Sequence, residues 1–531
     1  MRPLFVFGSC FWPAKQADIN LSLTRLCTRH SRADLGFPSS KPLCYTSLTS
    51  VPCCRFSDLI LQVNVPYMVP ELVMDPIMVT SLNTTPHNAI PLKNGWNRRS
   101  IVQVGFSSFL SMGLGSMAQA ASNGPRAKSV ILVFQTGAPS HIDTFAPTPD
   151  SPLEVRGEFG VVKTSLPGVV YSEHLPMLAA RAHRTTIVRS FSHKDNNHTA
   201  ATHHIITGSL QPGVRFDKPL SRDDWPCYGA AVSYFSPASP GIPTAVTLPT
   251  FLADGPLVWP GQHGGFLGPR HDPWQITKDP SRPNFKAENL TLPAGLSVTH
   301  MRDRMELLTH INASQDQLLQ LTEGQRLSQQ QQKAAQVLGS GAVARAFDLA
   351  QEPEKTRDRY GRHAFGQSLL LARRLAQAGV KVIQANMGRV QNWDSHENNF
   401  KRLKNDLLPP LDKGVSALLD DLAESGMDKE VLVVVMGEFG RSPKVDQKVA
   451  GRDHWAPCFS GLVFGAGVRQ GQVLGQSDKT GAYPATPGYS PDDMGATIYH
   501  ALGIDHESEL RDRQNRPTQL NRGQVMSKLF G

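Results

Sequence analysis

Cysteine is nearly missing from the chain beyond residue 54. Of seven, Cys10, Cys27, Cys44, Cys53 and Cys54 crowd the start, and only Cys227 and Cys458 follow. Two cysteines make at most one bridge, so no disulfide framework holds the main body, and neither has the CxxC partner or nearby His of a thiolate zinc site. Long clean hydrophobic runs are missing as well, which excludes a polytopic membrane protein and predicts no stable membrane insertion of the mature chain. An excess of one charge sign is small: 54 Lys+Arg stand against 45 Asp+Glu, a net +9. Residues 1–120 hold 10 basic and 5 acidic side chains, leaving 44 and 40, so the remainder is only +4. That balance argues against a dedicated nucleic-acid binder. There is no internal repeat and no sustained heptad. What is present is a 531-residue chain that is 40% hydrophobic, with 44 Gly and 40 Pro. Such a chain buries a substantial core and carries many loops.

Residues 97–122 read NRRSIVQVGFSSFLSMGLGSMAQAAS. Arg98-Arg99 precede an uncharged stretch, Ile101 to Met117, and Ala118-Gln119-Ala120 follows as a small-x-small cleavage pattern. This layout predicts a signal peptide for the twin-arginine route at 97–120, hence a periplasmic or extracellular protein whose mature chain begins near Ala121. Glycine and serine within the stretch make a poor core helix but suit a leader. Residues 1–96 are read as a non-native or disordered extension, the true start being a later methionine such as Met68, Met74 or Met78.

In the mature chain, Ser129 to Phe134 (SVILVF) is a short continuous apolar run of the kind a buried parallel strand shows. Residues 174–183 predict a helix, Thr186 to Arg189 a strand, and Thr199 to Thr207 a helix closed by Gly208. Residues 210–300 are rich in Pro, Gly and aromatics and read as a loop-rich insertion, with peripheral helices at 312–350. Alternation then becomes regular: helix Ala364–Ala378, strand Val380–Ala385, helix Leu411–Ser425, strand Glu430–Met436, strand Ser460–Phe464 and helix Pro491–Leu502. Strand and helix alternating on this scale predict an α/β fold with a mostly parallel central sheet flanked by helices.

Polar clusters recur after predicted strands: Gln135 to Asp143, Ser190 to His204, Asp394 to Asn398 and Glu438 to Arg441. Ligands of open α/β sheets bind at the carboxyl ends of the strands, so these segments are expected to converge there, joined by Asp453-His454. They supply His141, Asp143, His193, His198, His203, His204, Asp394, His396, Glu438, Asp453 and His454. Mixed imidazole and carboxylate is what one or two divalent cations take up. The expected metal ligands are His141, Asp143, Asp394, His396, Glu438 and His454, and the ion is zinc, manganese or calcium. His198 or Thr199 at a helix start, and Arg441 in a turn, are the expected catalytic groups, for nucleophilic attack and for pairing with an oxyanion. Thr199 also reads as a capping hydroxyl, and Asp394 as a cap for a helix beginning near Asn398.

The stretches GAPSHIDTFAP (137–147), NHTAATHHIITG (197–208), ARRLAQAGV (372–380), WDSHENN (393–399), GEFGRSP (437–443) and GRDHW (451–455) resemble the secreted family called Domain of Unknown Function 1501. The resemblance runs from about Ala127 to about Leu529. It implies an alkaline phosphatase/sulfatase-like fold and an ancestral phosphate- or sulfate-ester chemistry. This sequence departs from the superfamily pattern in three places. The sulfatase nucleophile position, ten residues before Gly208, is His198 with Thr199 next to it. Gln135-Thr136-Gly137 stands where acidic residues follow the first strand, and Glu438-Phe439 replaces Asp-His. Two readings follow: an exported metal-dependent hydrolase of small-molecule or polysaccharide phosphate or sulfate esters, and a non-catalytic metal-containing protein that binds anionic glycans, with Trp225, Trp259 and Trp274 as its stacking surface.

Overall fold

The structure, a computed structural model, describes residues 126–211, 220–283, 285, 303, 307 and 341–530. The leader at 97–120 and the extension before it lie outside the described residues, and of the expected helices at 312–350 only the part from Gly341 on is described, as a helix at Gly341–Phe347 and a turn at Leu349–Gln351. Among the described residues no helix is long and apolar enough to cross a membrane.

Eight strands make the central sheet: β1 (Ser129–Phe134), β2 (Thr186–Phe191), β3 (Ala245–Leu248), β4 (Trp274–Gln275), β5 (Val382–Asn386), β6 (Val431–Met436), β7 (Phe459–Phe464) and β8 (Gln472–Leu474). Their order is β8-β2-β7-β6-β1-β5-β3-β4. Every neighbouring pair is parallel except those of β7, which runs against both β6 and β2. The continuous apolar runs of β1 and β6 follow from this central position, because both of their faces are covered. Val130, Leu132 and Phe134 of β1 join one core with Leu432, Val434 and Met436. Ile131 and Val133 join the other core with Val431, Val433 and Val435.

The principal helices are α1 (Pro176–Arg181), α2 (His198–Thr207), α3 (Tyr228–Phe235), α4 (Ala364–Gln377), α5 (Leu408–Glu424) and α6 (Pro491–Ala501). Apolar residues of α4 and α5 recur at helical spacing and fill one core: Leu369, Leu370, Leu371 and Leu375 against Leu411, Val415, Leu418 and Leu422. Tyr228, Ala231 and Val232 of α3, with Met494, Ile498 and Tyr499 of α6, fill the other. The result is a three-layer α/β/α unit, the fold class the alternation predicts.

The segment read as a loop-rich insertion contributes more than loops. It contains α3 and the strands β3 and β4, which extend the sheet beyond β5. These strands have four and two residues, too few for the period-2 signal to stand out from their Pro- and Gly-rich surroundings.

Gly137 lies just after β1, at φ 103°, and a Cβ there would sit 2.7 Å from backbone atoms of Gln391 and Trp393. The loops following β1 and β5 therefore touch, and Trp393 N–H donates to Thr136 O at 2.8 Å. Gly137→Ala should cost at least about 1 kcal/mol from backbone conformation alone, and more from the clash. Denaturant unfolding checks this; an unchanged midpoint would show that the two loops are not in contact.

Candidate metal centre

The loops after β1, β2, β5 and β6 meet at the carboxyl ends of their strands, and the centre of the meeting is Asp394. Three imidazoles present the same nitrogen to this one carboxylate. His198 Nε2 lies 3.3 Å from Oδ2, His396 Nε2 3.2 Å from Oδ1 and His454 Nε2 3.3 Å from Oδ1. The His396 and His454 Nε2 atoms are 2.9 Å apart. His198, Asp394 and His454 form a candidate divalent-metal site, with one ligand atom from each lying within 4.8 Å of the others.

Each ring is held from behind by an acceptor. His198 Nδ1 lies 2.7 Å from Glu438 Oε1, His396 Nδ1 3.0 Å from Asp453 Oδ1, and His454 Nδ1 2.7 Å from the Asn196 carbonyl. A carboxylate or carbonyl only accepts, so each Nδ1 carries a hydrogen, and Nε2 is the ring nitrogen left to bind an ion. Brought together on one carboxylate, the three Nε2 atoms need positive charge among them, from protons or from a cation. His198 Nε2 is buried with no hydrogen-bond partner. These residues fit a divalent metal, and a majority of imidazole ligands suits zinc or manganese better than calcium. The outer acceptors match the arrangement that fixes metal-binding histidines elsewhere.

The electrostatics agree with a site built for positive charge. Burial acts to lower the His198 pKa, but contacts with Asp394 and Glu438 outweigh it and raise it to about 9. Burial acts to raise the Asp394 pKa, yet His198, His454 and Arg441 hold it far below the usual carboxylate range.

Of the other expected site residues, some stand beside or behind this centre and some away from it. Glu438 is fully buried; Gly137 N–H donates to both its oxygens, at 2.8 and 3.1 Å, and His198 to one of them. It stands behind His198 instead of beside the shared centre. Asp143 is also removed from the centre: Arg452 donates to its two oxygens at 2.8 and 3.0 Å, and Asn399 to one at 2.8 Å. His141 Nε2–H donates to the Gly481 carbonyl at 2.7 Å. Arg441 is buried, with Nε on the Ala138 carbonyl at 2.8 Å, Nη2 on the Gly137 carbonyl and Nη1 2.6 Å from Asp394 Oδ1. Its charge goes to Asp394 and its donors to backbone carbonyls, where an oxyanion partner was expected. His198 joins the metal cluster, where a catalytic role was expected. Thr199 is buried in the first turn of α2, and the cap belongs to Asn197, whose side chain accepts from Ala200 N–H. Asp394 caps no helix: the one after it starts at Asn399, beyond Asn398.

His193 donates to the Glu438 backbone carbonyl at 2.6 Å, and His204 pairs with Asp492 at 2.5 Å. The three tryptophans do not form an exposed platform. Trp259 is buried and stacked on His198, Trp225 sits edge-on to Phe266, and Trp274 packs against Phe347. Sequence reasoning missed the Asn196 carbonyl and the role of Arg452, and it expected Trp259 on a glycan-binding surface where it instead stacks on His198. A backbone acceptor leaves no signal in residue type, but Arg452 stands within the quoted GRDHW motif.

Burial lowers the pKa of His141 to about 4 and that of His203 to about 3. The unfolded chain takes up these protons near pH 6.5, so below that pH it binds more protons than the folded chain. Stability is then lost as pH falls from about 6.5 toward 4, by up to about 1.4 kcal/mol per pH unit for each ring. Urea unfolding at pH 7, 6 and 5 should show the decline; a flat profile would mean the rings are protonated in place.

Similar structures include a sulfatase from Pseudoalteromonas sp., at 10% identity over 74% of this chain and 70% of that one, TM-score 0.31. Another is a phosphonate monoester hydrolase from Silicibacter pomeroyi, at 12% over 76% and 77%, TM-score 0.32. A third is an alkaline phosphatase from the Antarctic bacterium TAB5, at 12% over 71% and 98%, TM-score 0.30. No curated protein matches the sequence. Residues 127–530 match the family described as protein of unknown function DUF1501, and the chain belongs to that family.

Proposed function

We propose that this protein is an exported, metal-dependent hydrolase of phosphate or sulfate esters, acting on a small-molecule or polysaccharide ester. The observation that carries the reading is the set of three imidazoles, each fixed through Nδ1 and turned through Nε2 onto one carboxylate at the carboxyl ends of the strands. A bound divalent ion would polarise a non-bridging ester oxygen and offset charge on the leaving oxygen. His198, His454 and Asp394 would hold it. His396 and Asp453, the most exposed members of the group, form the side open to solvent. Arg441 holds Asp394 in its ionised form. Thr199, beside His198 in the first turn of α2, is the candidate nucleophile, and the N–H groups of that turn favour an incoming anion.

The test is turnover of aryl phosphate monoesters, diesters and sulfates by metal-loaded protein. Thr199→Ala should lose at least about a thousandfold in rate while keeping its metal, if the hydroxyl is the nucleophile. An unchanged rate would assign attack to water and leave the hydrolase reading standing. No turnover on any of the three ester classes would overturn it. Export rests on Arg98-Arg99 and the stretch after them; an Arg98→Lys, Arg99→Lys double variant should remain inside cells.

A further inference from the structure

We infer that the centre takes one divalent ion and not two, because the Arg441 guanidinium fills the place a second ion would need on Asp394. The inference rests on the metal reading above and adds the number of ions. Two ions sharing a site stand about 3.5–4 Å apart and need bridging or separate donors. Asp394 is the carboxylate in position to bridge, and its Oδ1 is already 2.6 Å from Arg441 Nη1.

That guanidinium does not depend on Asp394 for its position. Nε donates to the Ala138 carbonyl at 2.8 Å, Nη2 to the Gly137 carbonyl, and Nη1 to the Arg452 carbonyl at 3.4 Å. The first two carbonyls belong to consecutive residues at positive φ, 103° for Gly137 and 64° for Ala138. The loop after β1 thus holds one non-glycine residue, Ala138, in the left-handed region, and its two carbonyls converge on this one charge. The buried donors that flank the centre are committed elsewhere. Asp143 is held by Arg452 and Asn399, His141 Nε2 by Gly481, and both oxygens of Glu438 by Gly137 and His198. Among the described residues one group alone can gather three ligand atoms. A fixed, buried positive charge on Asp394 also repels a second cation directly.

The experiment is metal stoichiometry on the full chain, stripped with chelator and titrated with Zn2+ and separately with Mn2+, read by calorimetry and elemental analysis. One ion per chain is expected, whether or not any ester is turned over. Two tightly held ions per chain would overturn the inference and leave the hydrolase reading intact, whereas no ion at all would overturn both. Arg441→Gln removes the charge but keeps a hydrogen-bonding amide. If folded by circular dichroism, it should bind its ion at least tenfold more tightly or accept a second one, and Arg441→Lys should stay at one. A folded Arg441→Gln with wild-type affinity and stoichiometry would overturn the role given to Arg441. If that variant does not fold, the wild-type count decides the number of ions.

Discussion

Asp394→Ala should yield a protein that retains no divalent ion above background and turns over no ester. The expectation is severe because Asp394 is the one anion that all three inward Nε2 atoms face. Its removal also leaves Arg441 buried without its carboxylate, and breaking a buried pair from one side costs about 3–5 kcal/mol. Loss of metal in an unfolded protein would be uninformative, so Asp394→Asn belongs beside it. The amide keeps the shape and an oxygen for Arg441 but loses the charge that attracts a cation. Elemental analysis and circular dichroism on both variants, with His454→Ala for comparison, decide the matter. A folded Asp394→Asn that keeps stoichiometric metal would remove the centre from this position.

Asp143→Ala should also lower stability strongly but, unlike Asp394→Ala, spare the metal. Asp143 and Arg452 are both buried, and the arginine also donates to the carbonyls of Val155, Ser442 and Pro443. The pair ties the loop after β1 to the loop after β6. Without the aspartate the guanidinium stays buried and unpaired, again a loss of about 3–5 kcal/mol. Urea unfolding should show a lower midpoint, with unchanged metal content in the folded fraction. A small change in stability together with loss of metal would return Asp143 to the ligand set.

The two aspartates show how far residue pattern reaches. Both follow central strands, each stands two residues from a histidine, and nothing local separates them. One meets three imidazoles and an arginine; the other meets Arg452, which is 309 residues away in the chain. Glu438 is similar: its place after β6 put it at the centre, but which of its neighbours it would bond depended on Gly137 and His198 arriving from other loops.

Sequence by itself determined the layers. The apolar runs of β1 and β6 require cover on both faces, the helical periodicity of α4 and α5 supplies some of it, and the parallel order places the polar loops at one end of the sheet. It also determined the chemistry at that end, since the imidazoles and carboxylates are all in the quoted motifs. Tertiary structure alone decided the reversed direction of β7, the addition of β3 and β4 to the sheet, and the division of carboxylates between an ion and buried arginines. Hydrogen-bond partners separated by hundreds of residues are chosen by the packing of whole layers, and a local pattern of residues carries no record of that choice.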